Sequence, residues 1–265
     1  MMYPESGLKD LFKKINVTRM KIYKNSIRLI KIFLKKFIHF DSNLTKDIFF
    51  IIRKLNLQKP IFVDVGAYKG FWINRYLRKF PNSYAYLLEP HKPSYQELKR
   101  KFNKYKNIKV SRIALSNKNG IKEVNVNNKS YTNSLLQLDP EVLKHWKDEN
   151  LEHLYREKVT TLKLDDFFLK NKIKKINILK LDVQGHESKV LEGSKALLKD
   201  GLIDILVLEV IIAPTYKNQS KVSKIFEVLD EFEYGLYGVY DIQKSKKREK
   251  IKQFDAIFYK KSLPL

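Results

Sequence analysis

The sequence predicts an α/β fold: a doubly wound, mostly parallel sheet with helices on both faces. Two observations carry this. Apolar, β-prone runs at Ile61–Val63, Tyr84–Leu88, Ile108–Leu115, Ile176–Leu181 and Ile203–Val210 alternate with segments of helical spacing, the pattern of right-handed parallel β-α-β units. Acids also stand at the ends of four of these runs: Asp64, Glu89, Asp182 and Glu209. Ligands of such sheets bind beyond the carboxyl ends of the strands, near the switch point. A structural sheet gains nothing from a row of carboxylates along one edge.

The first 58 residues read as a basic helical extension and residues 59–265 as the main domain. Residues 11–40 contain nine Lys or Arg and no Asp or Glu. Lys21, Lys24, Arg28, Lys31 and Lys35 recur at three- and four-residue steps and form one basic helical face; Ile27, Ile30, Leu34 and Phe37 form an apolar one. The segment suits peripheral contact with an anionic membrane or an acidic partner. It equally suits a helix packed on the domain with its lysines solvated. Thr45–Leu57 reads as a second helix, capped by Asp41, Ser42 or Thr45 and packed beside the first strand.

Within the domain, Phe71–Phe80 and Pro93–Tyr105 read as crossover helices. Ile121–Val126 reads as a hairpin partner of the strand before it. Residues 127–158 interrupt the alternation, with Pro140–Tyr155 helical and carrying His145, Trp146, His153 and Tyr155. Val159–Leu164 alternates like a strand, and Asp165 is placed to cap the helix that follows. Glu187–Leu198 and Lys221–Phe232 read as helices. Tyr234–Asp241 and Gln253–Tyr259 follow one another without a helix between them, which requires an antiparallel finish to the sheet.

The most informative stretch is Ile61-Phe62-Val63-Asp64-Val65-Gly66-Ala67-Tyr68-Lys69-Gly70. A strand, a glycine turn and a helix start bring backbone N–H groups toward a ligand. The spacing Asp-x-Gly-x-x-x-Gly is not the Gly-x-Gly-x-x-Gly of a pyrophosphate site. An acid at the strand tip suits a cationic ligand better than a diphosphate. Glu89, ending the next strand, stands where ribose hydroxyls are commonly held. Together they point to a nucleoside that carries positive charge.

Val63-Asp64-Val65-Gly66-Ala67, Leu88-Glu89-Pro90, Ile113-Ala114-Leu115-Ser116, Thr161-Leu162-Lys163-Leu164-Asp165 and Ile178–Glu187 resemble the FkbM family of S-adenosylmethionine-dependent methyltransferases. The most specific element is Lys180-x-Asp182-Val183-x-Gly185-x-Glu187, followed by Val190-Leu191 and Gly193. The resemblance runs from Pro60 to about Lys260. It implies a Rossmann-like class I methyltransferase fold whose seven-stranded sheet ends in an antiparallel strand. It also implies S-adenosylmethionine as cofactor, with Gly66, Ala67 and Gly70 near its methionine part and Asp64 oriented to the ammonium. Glu89 would then hold the ribose and Ala114 flank the adenine. Asp182, Glu187 and His186 become the candidates for handling the acceptor. His186 has the ordinary pKa of a base but occupies a position that varies in the family. The implied reaction is O-methylation of a sugar, glycan or small metabolite, with residues 127–158 as an acceptor lid. Gln184 replaces the commoner acid of the family motif and so weakens a metal site. Asp182, Glu187 and Glu209 still leave an all-oxygen Mg²⁺ site open.

Composition narrows the alternatives. No cysteine is present, which excludes disulfides, thiolate nucleophiles and cysteine zinc sites. No apolar run approaches the ~20 residues of a membrane-spanning helix; a cytoplasmic location is expected, with peripheral membrane contact one of the two readings of residues 11–40. The formal charge of +24 could attract phosphate, so an RNA methyltransferase is a second reading. The lysines are scattered rather than striped, and a motif of the Asn/Asp-Pro-Pro-Tyr kind is absent; a nucleic-acid partner is therefore not expected. A non-catalytic basic binding module is a third reading, opposed by the intact Asp64, Gly66, Glu89 and Asp182.

Overall fold

The structure, a computed structural model, describes residues 42–146, 150–245 and 250–265. The basic segment 11–40 lies outside the described residues, as does any membrane contact through it. The compact unit begins at Asn43. Helix α1 (Asn43–Lys54), assigned from sequence to the extension, belongs to this unit, because Ile48, Ile51 and Ile52 are buried in the core that also holds Phe62, Tyr76 and Ile178. Its apolar residues recur at helical spacing, so one face can be wholly withdrawn from water.

The chain continues through β1 (Ile61–Val65), α2 (Phe71–Lys79), β2 (Tyr84–Leu88), α3 (Lys92–Phe102), β3 (Ile108–Ser111), β4 (Ala114–Leu115) and β5 (Gly120–Asn127). A 3₁₀ turn at Ser130–Thr132, α4 (Val142–His145), β6 (His153–Leu162), α5 (Leu164–Lys170) and β7 (Ile176–Leu181) follow. The last elements are α6 (Glu187–Glu192), α7 (Lys195–Lys199), β8 (Ile203–Ile211), α8 (Val222–Glu231), β9 (Tyr234–Lys244) and β10 (Ile251–Lys260).

Seven strands form the central sheet in the order β3-β2-β1-β7-β8-β10-β9. Neighbours from β3 to β8 pair in parallel, and β10 lies antiparallel to both β8 and β9. This is the expected mostly parallel sheet with its last strand inverted. The order reverses between β1 and β7, which makes their carboxyl ends the switch point. One face packs on Leu88, Leu164, Phe167, Leu191 and Leu229; the other packs on α1 and α2 through Ile48, Ile73 and Tyr76.

Four local expectations change. The run Ile108–Leu115 splits into β3, at the edge of the main sheet, and β4, which joins a second sheet of order β4-β6-β5. The chain therefore turns away from the main sheet after Ser111. The hairpin partner of β5 is β6, not the strand before it. The helix expected over Pro140–Tyr155 shortens to Val142–His145, because His153 and Tyr155 are drawn into β6 by pairing with β5. Asp165 caps a different helix from the one expected: its carboxylate accepts from the N–H groups of Ala196 and Leu197 at 3.2 Å, serving the first turn of α7.

Candidate active site

The turn after β1 sets the floor of the site. Gly66 has a left-handed backbone (φ 79°), and a Cβ placed on it would lie 1.9 Å from the carbonyl oxygen of Asp182. Only glycine lets the ends of β1 and β7 approach this closely. Gly70 has φ 68°, and a Cβ there would meet Phe102 and Leu98 at 2.6 and 2.8 Å, so its role is to seat α2 against α3. Ala67 is 5% exposed and sits in the core beside Ile73.

A cleft of about 730 Å³ opens beyond β1 and β7. Gly66, Glu89, Ala114, Asp182 and His186, all singled out in the sequence, line it; Asp64, Ala67, Gly70 and Glu187 do not. Tyr68, Ser130, Tyr131 and Ser134, none of them singled out individually from the sequence, also line it. They arrive because the 3₁₀ turn folds back over the β1 turn, where Tyr68 Oη lies 3.2 Å from Ser130 Oγ. Ile113, Leu115 and Val124 supply an apolar wall.

Glu89 sits at the end of β2. Its carboxylate accepts from the backbone N–H groups of Tyr68 (2.7 Å) and His91 (2.9 Å). Burial nevertheless outweighs those bonds and raises its pKa to about 7.

The acids at the strand ends share one face of the sheet, since Asp64 pairs in register with Lys180, and Glu209 with Asp255. Lys180 Nζ lies 2.8 Å from Asp182 Oδ2 and 3.8 Å from Asp64 Oδ1. The Gln184 side-chain amide donates to both Asp182 and Glu209, and Gln253 donates to Glu209 at 2.8 Å. Four carboxyl groups thus surround one ammonium. Burial pushes Asp64 to about 6 and Asp255 to about 7. It raises Glu209 further, with Asp182, Asp255 and Glu187 adding to the effect. Burial opposes ionisation of Asp182 as well, but Lys180, Gln184 and Glu209 together hold it below the usual carboxylate range.

The other two acceptor-handling candidates are held by partners of their own, Glu187 off the cleft lining and His186 on it. The Glu187 carboxylate turns back to the N–H groups of Val183 (3.3 Å) and Gly185 (3.1 Å), and burial raises its pKa to about 7. It locks the loop between β7 and α6. His186 Nε2 lies 3.0 Å from Ser116 Oγ, which also accepts from Lys122. Burial first, then Lys122 and Lys189, lower its pKa to about 4, so it is neutral. The Mg²⁺ site considered from sequence loses Glu187 to these backbone bonds, and Lys180 supplies the local positive charge. Among the described residues no group of three or more His, Asp or Glu is arranged to hold a metal ion.

Gln184 and Tyr131 also line a second cavity of about 620 Å³. Trp146, Glu209, Tyr216, Gln243 and Gln253 complete its polar and aromatic lining. Trp146 Nε1 donates to Thr215 Oγ1 at 2.9 Å, and Lys252 Nζ stands 3.8 Å from the indole centroid. Val142, Trp146 and Leu151 form a small core of their own, so the segment after β5 both packs on itself and walls this cavity.

These carboxyls give the apo-protein a definite pH dependence. Asp64, Glu89, Glu187 and Asp255 have folded pKa values above their ordinary ones, so the folded state holds protons that the unfolded chain releases. Their contribution is full below the ordinary carboxylate range and declines as pH climbs through about 6 to 7. Asp182 acts in the opposite sense only at lower pH, and His186, lowered to about 4, offsets part of the decline up to the ordinary imidazole range. Thermal midpoints should therefore fall between pH 5 and pH 8; a rise over that interval would contradict the burial of these groups.

A sheet of this order, with a glycine turn and a charged cleft at its switch point, defines the chain as a class I S-adenosylmethionine-dependent methyltransferase fold. Residues 64–236 match the family model described as Methyltransferase FkbM domain. The chain belongs to that family. No curated protein matches it. Among solved structures it is similar to the methyltransferase FkbM of Methylobacillus flagellatus, with 12% identity over 75% of this chain and a TM-score of 0.44. The chain spans only 44% of the length of that protein. An S-adenosylmethionine-dependent methyltransferase of Clostridium acetobutylicum is similar at 9% identity and TM-score 0.43, covering 88% of this chain and 98% of the other. Fibrillarin of Aeropyrum pernix, solved with natively bound S-adenosyl-L-methionine, is similar at 10% identity and TM-score 0.39, covering 75% and 66%. Among the described residues no helix is long and apolar enough to cross a membrane.

Proposed function

We propose that the protein transfers a methyl group from S-adenosylmethionine to a hydroxyl of a sugar or small polyhydroxylated metabolite. The observation that carries this is the excess of carboxyl groups over cations at the switch point. Asp64 is fully buried with neither carboxylate oxygen hydrogen-bonded, and among the described residues Lys180 is the cation that faces Asp64, Asp182, Glu209 and Asp255. A ligand that brings positive charge to this cluster relieves the imbalance.

The residues fit that cofactor. Glu89 would accept from ribose hydroxyls, Ile113, Ala114 and Leu115 would lie against the adenine, and the turn at Gly66 would approach the methionine part. When bound, the cofactor supplies an activated methyl on a sulfonium. The chain's own task is to align an acceptor and exclude water. The second cavity supports a hydroxyl-rich acceptor: the amides of Gln243 and Gln253 and the carboxyl of Glu209 can donate and accept, while Trp146 offers an aromatic wall.

The test is calorimetric titration with S-adenosylmethionine and S-adenosylhomocysteine, followed by transfer of labelled methyl to a panel of methyl glycosides. Micromolar binding and label on a glycoside are the expected results. Binding without label on any glycoside would remove the sugar reading and keep the cofactor.

A further inference from the structure

Glu209 is the only carboxyl group among the described residues lining the second cavity. Both its oxygens are held, Oε1 by Gln253 Nε2 and Oε2 by Gln184 Nε2. Gln184 reaches this position from a left-handed backbone (φ 53°) and belongs to the walls of both cavities. Its other amide hydrogen goes to Asp182, which lines the cleft, and its carbonyl lies 2.8 Å from Tyr216 Oη. One neutral side chain therefore ties an acid in the cleft to an acid in the second cavity. A glutamate at this position would add a further negative charge to the cluster, whereas an amide can donate to both acids at once.

The charged groups facing Glu209 come from both neighbouring strands: Lys180 on β7 with Asp182 just beyond its end, and Asp255 on β10, itself facing Asp241 on β9. Glu187 on α6 and Tyr216 stand on the loop side. Against one ammonium these carboxyls cannot all ionise, and Asp182 and Glu209 titrate as a pair. Of the two, Asp182 ionises first: Lys180 and Gln184 favour its charge, whereas burial and the neighbouring acids favour the proton on Glu209.

We infer that Glu209 is the catalytic base for the acceptor hydroxyl, and that cofactor binding arms it by driving its proton out. The inference rests on the reading that the cleft takes S-adenosylmethionine. A cation in the cleft lies against the Asp182–Gln184–Glu209 bridge and stabilises the state with both acids ionised. The acceptor oxygen then bonds to the donated methyl as the sulfonium–carbon bond breaks, and its O–H proton passes to Glu209. Thioether and methyl ether leave, and Glu209 returns protonated as in the empty protein. Without cofactor the acid stays protonated, so an acceptor arriving first meets no base.

The experiment is titration of the full chain with S-adenosylmethionine at pH 7 in phosphate and in Tris, whose different ionisation heats report protons released. Wild type should release up to about one proton per cofactor, and S-adenosylhomocysteine, which lacks the sulfonium charge, distinctly less. Glu209→Gln should bind within a few-fold of wild type and lose most of the release, and Glu209→Asp should recover it. No release by wild type, or undiminished release by Glu209→Gln, would overturn the inference. Failure of wild type to bind the cofactor would instead remove the function beneath it.

Discussion

Gly66→Ala is expected to lower the thermal midpoint by on the order of 10 °C and to abolish measurable cofactor binding. The added methyl would sit 1.9 Å from the Asp182 carbonyl oxygen, far inside contact distance. Neither strand can easily move. Gly66 N–H donates to Leu88 at 2.9 Å, and Asp182 N–H donates to Val65 at 3.0 Å. Overpacking costs about 1–3 kcal/mol, and a left-handed non-glycine residue roughly 1–2 kcal/mol more. At roughly 2–4 °C per kcal/mol for a domain of this size, the sum gives the stated shift. Gly201→Ala is the control. It shares a left-handed φ of 64°, but a Cβ there meets only the Lys260 side chain at 3.6 Å, so it should lose only the conformational part. Equal melting losses for the two variants would show that the close approach of β1 and β7 is not what requires glycine.

Glu89→Ala is expected to weaken S-adenosylmethionine binding by roughly 10- to 100-fold with a much smaller change in melting temperature. The carboxylate is the one acid that both lines the cleft and ends β2. Losing a hydrogen bond to a charged group costs about 1.5–3 kcal/mol, and each 1.4 kcal/mol is tenfold in affinity. The substitution also leaves the N–H groups of Tyr68 and His91 without their acceptor, which loosens the turn that carries Tyr68 into the cleft. Glu89→Gln should keep most of the loop geometry, because one amide oxygen can still accept. An affinity for Glu89→Ala within threefold of wild type would mean that the ribose is held elsewhere.

Much of the architecture was legible from local pattern. The alternation of apolar runs with helical segments placed β1, β2, β7 and β8 to within a residue or two, and the two consecutive strands at the end required the antiparallel finish. These features depend on short-range periodicity and on residues such as Gly66 that few backbones can replace. The segment after Ser111 was less legible. Ile108–Leu115 reads as one strand because nothing in its composition marks the bend at Arg112–Ile113; β4 exists only because β6 offers it a partner. His153 and Tyr155 fall in the same segment read as a helix as Trp146, yet pairing with β5 draws them into a strand, as tertiary context commonly does when a partner is near.

The site divides in the same way. The sequence by itself determined that Asp64, Glu89, Asp182 and Glu209 would end strands at one edge of a sheet, and that Gly66 would turn the chain between them. What each acid does was decided by tertiary structure. Glu187 and Asp182 are five residues apart in one motif, but one is bound to backbone N–H groups and the other to Lys180. Gln184 reads as a lost carboxylate and is found as the bridge between two cavities. The physical reason is range. Strand ends and turns follow from dihedral preference and apolar period over a few residues. Protonation and hydrogen-bond partnership are set by burial and by charges that strand register brings within a few ångströms across more than a hundred residues of chain.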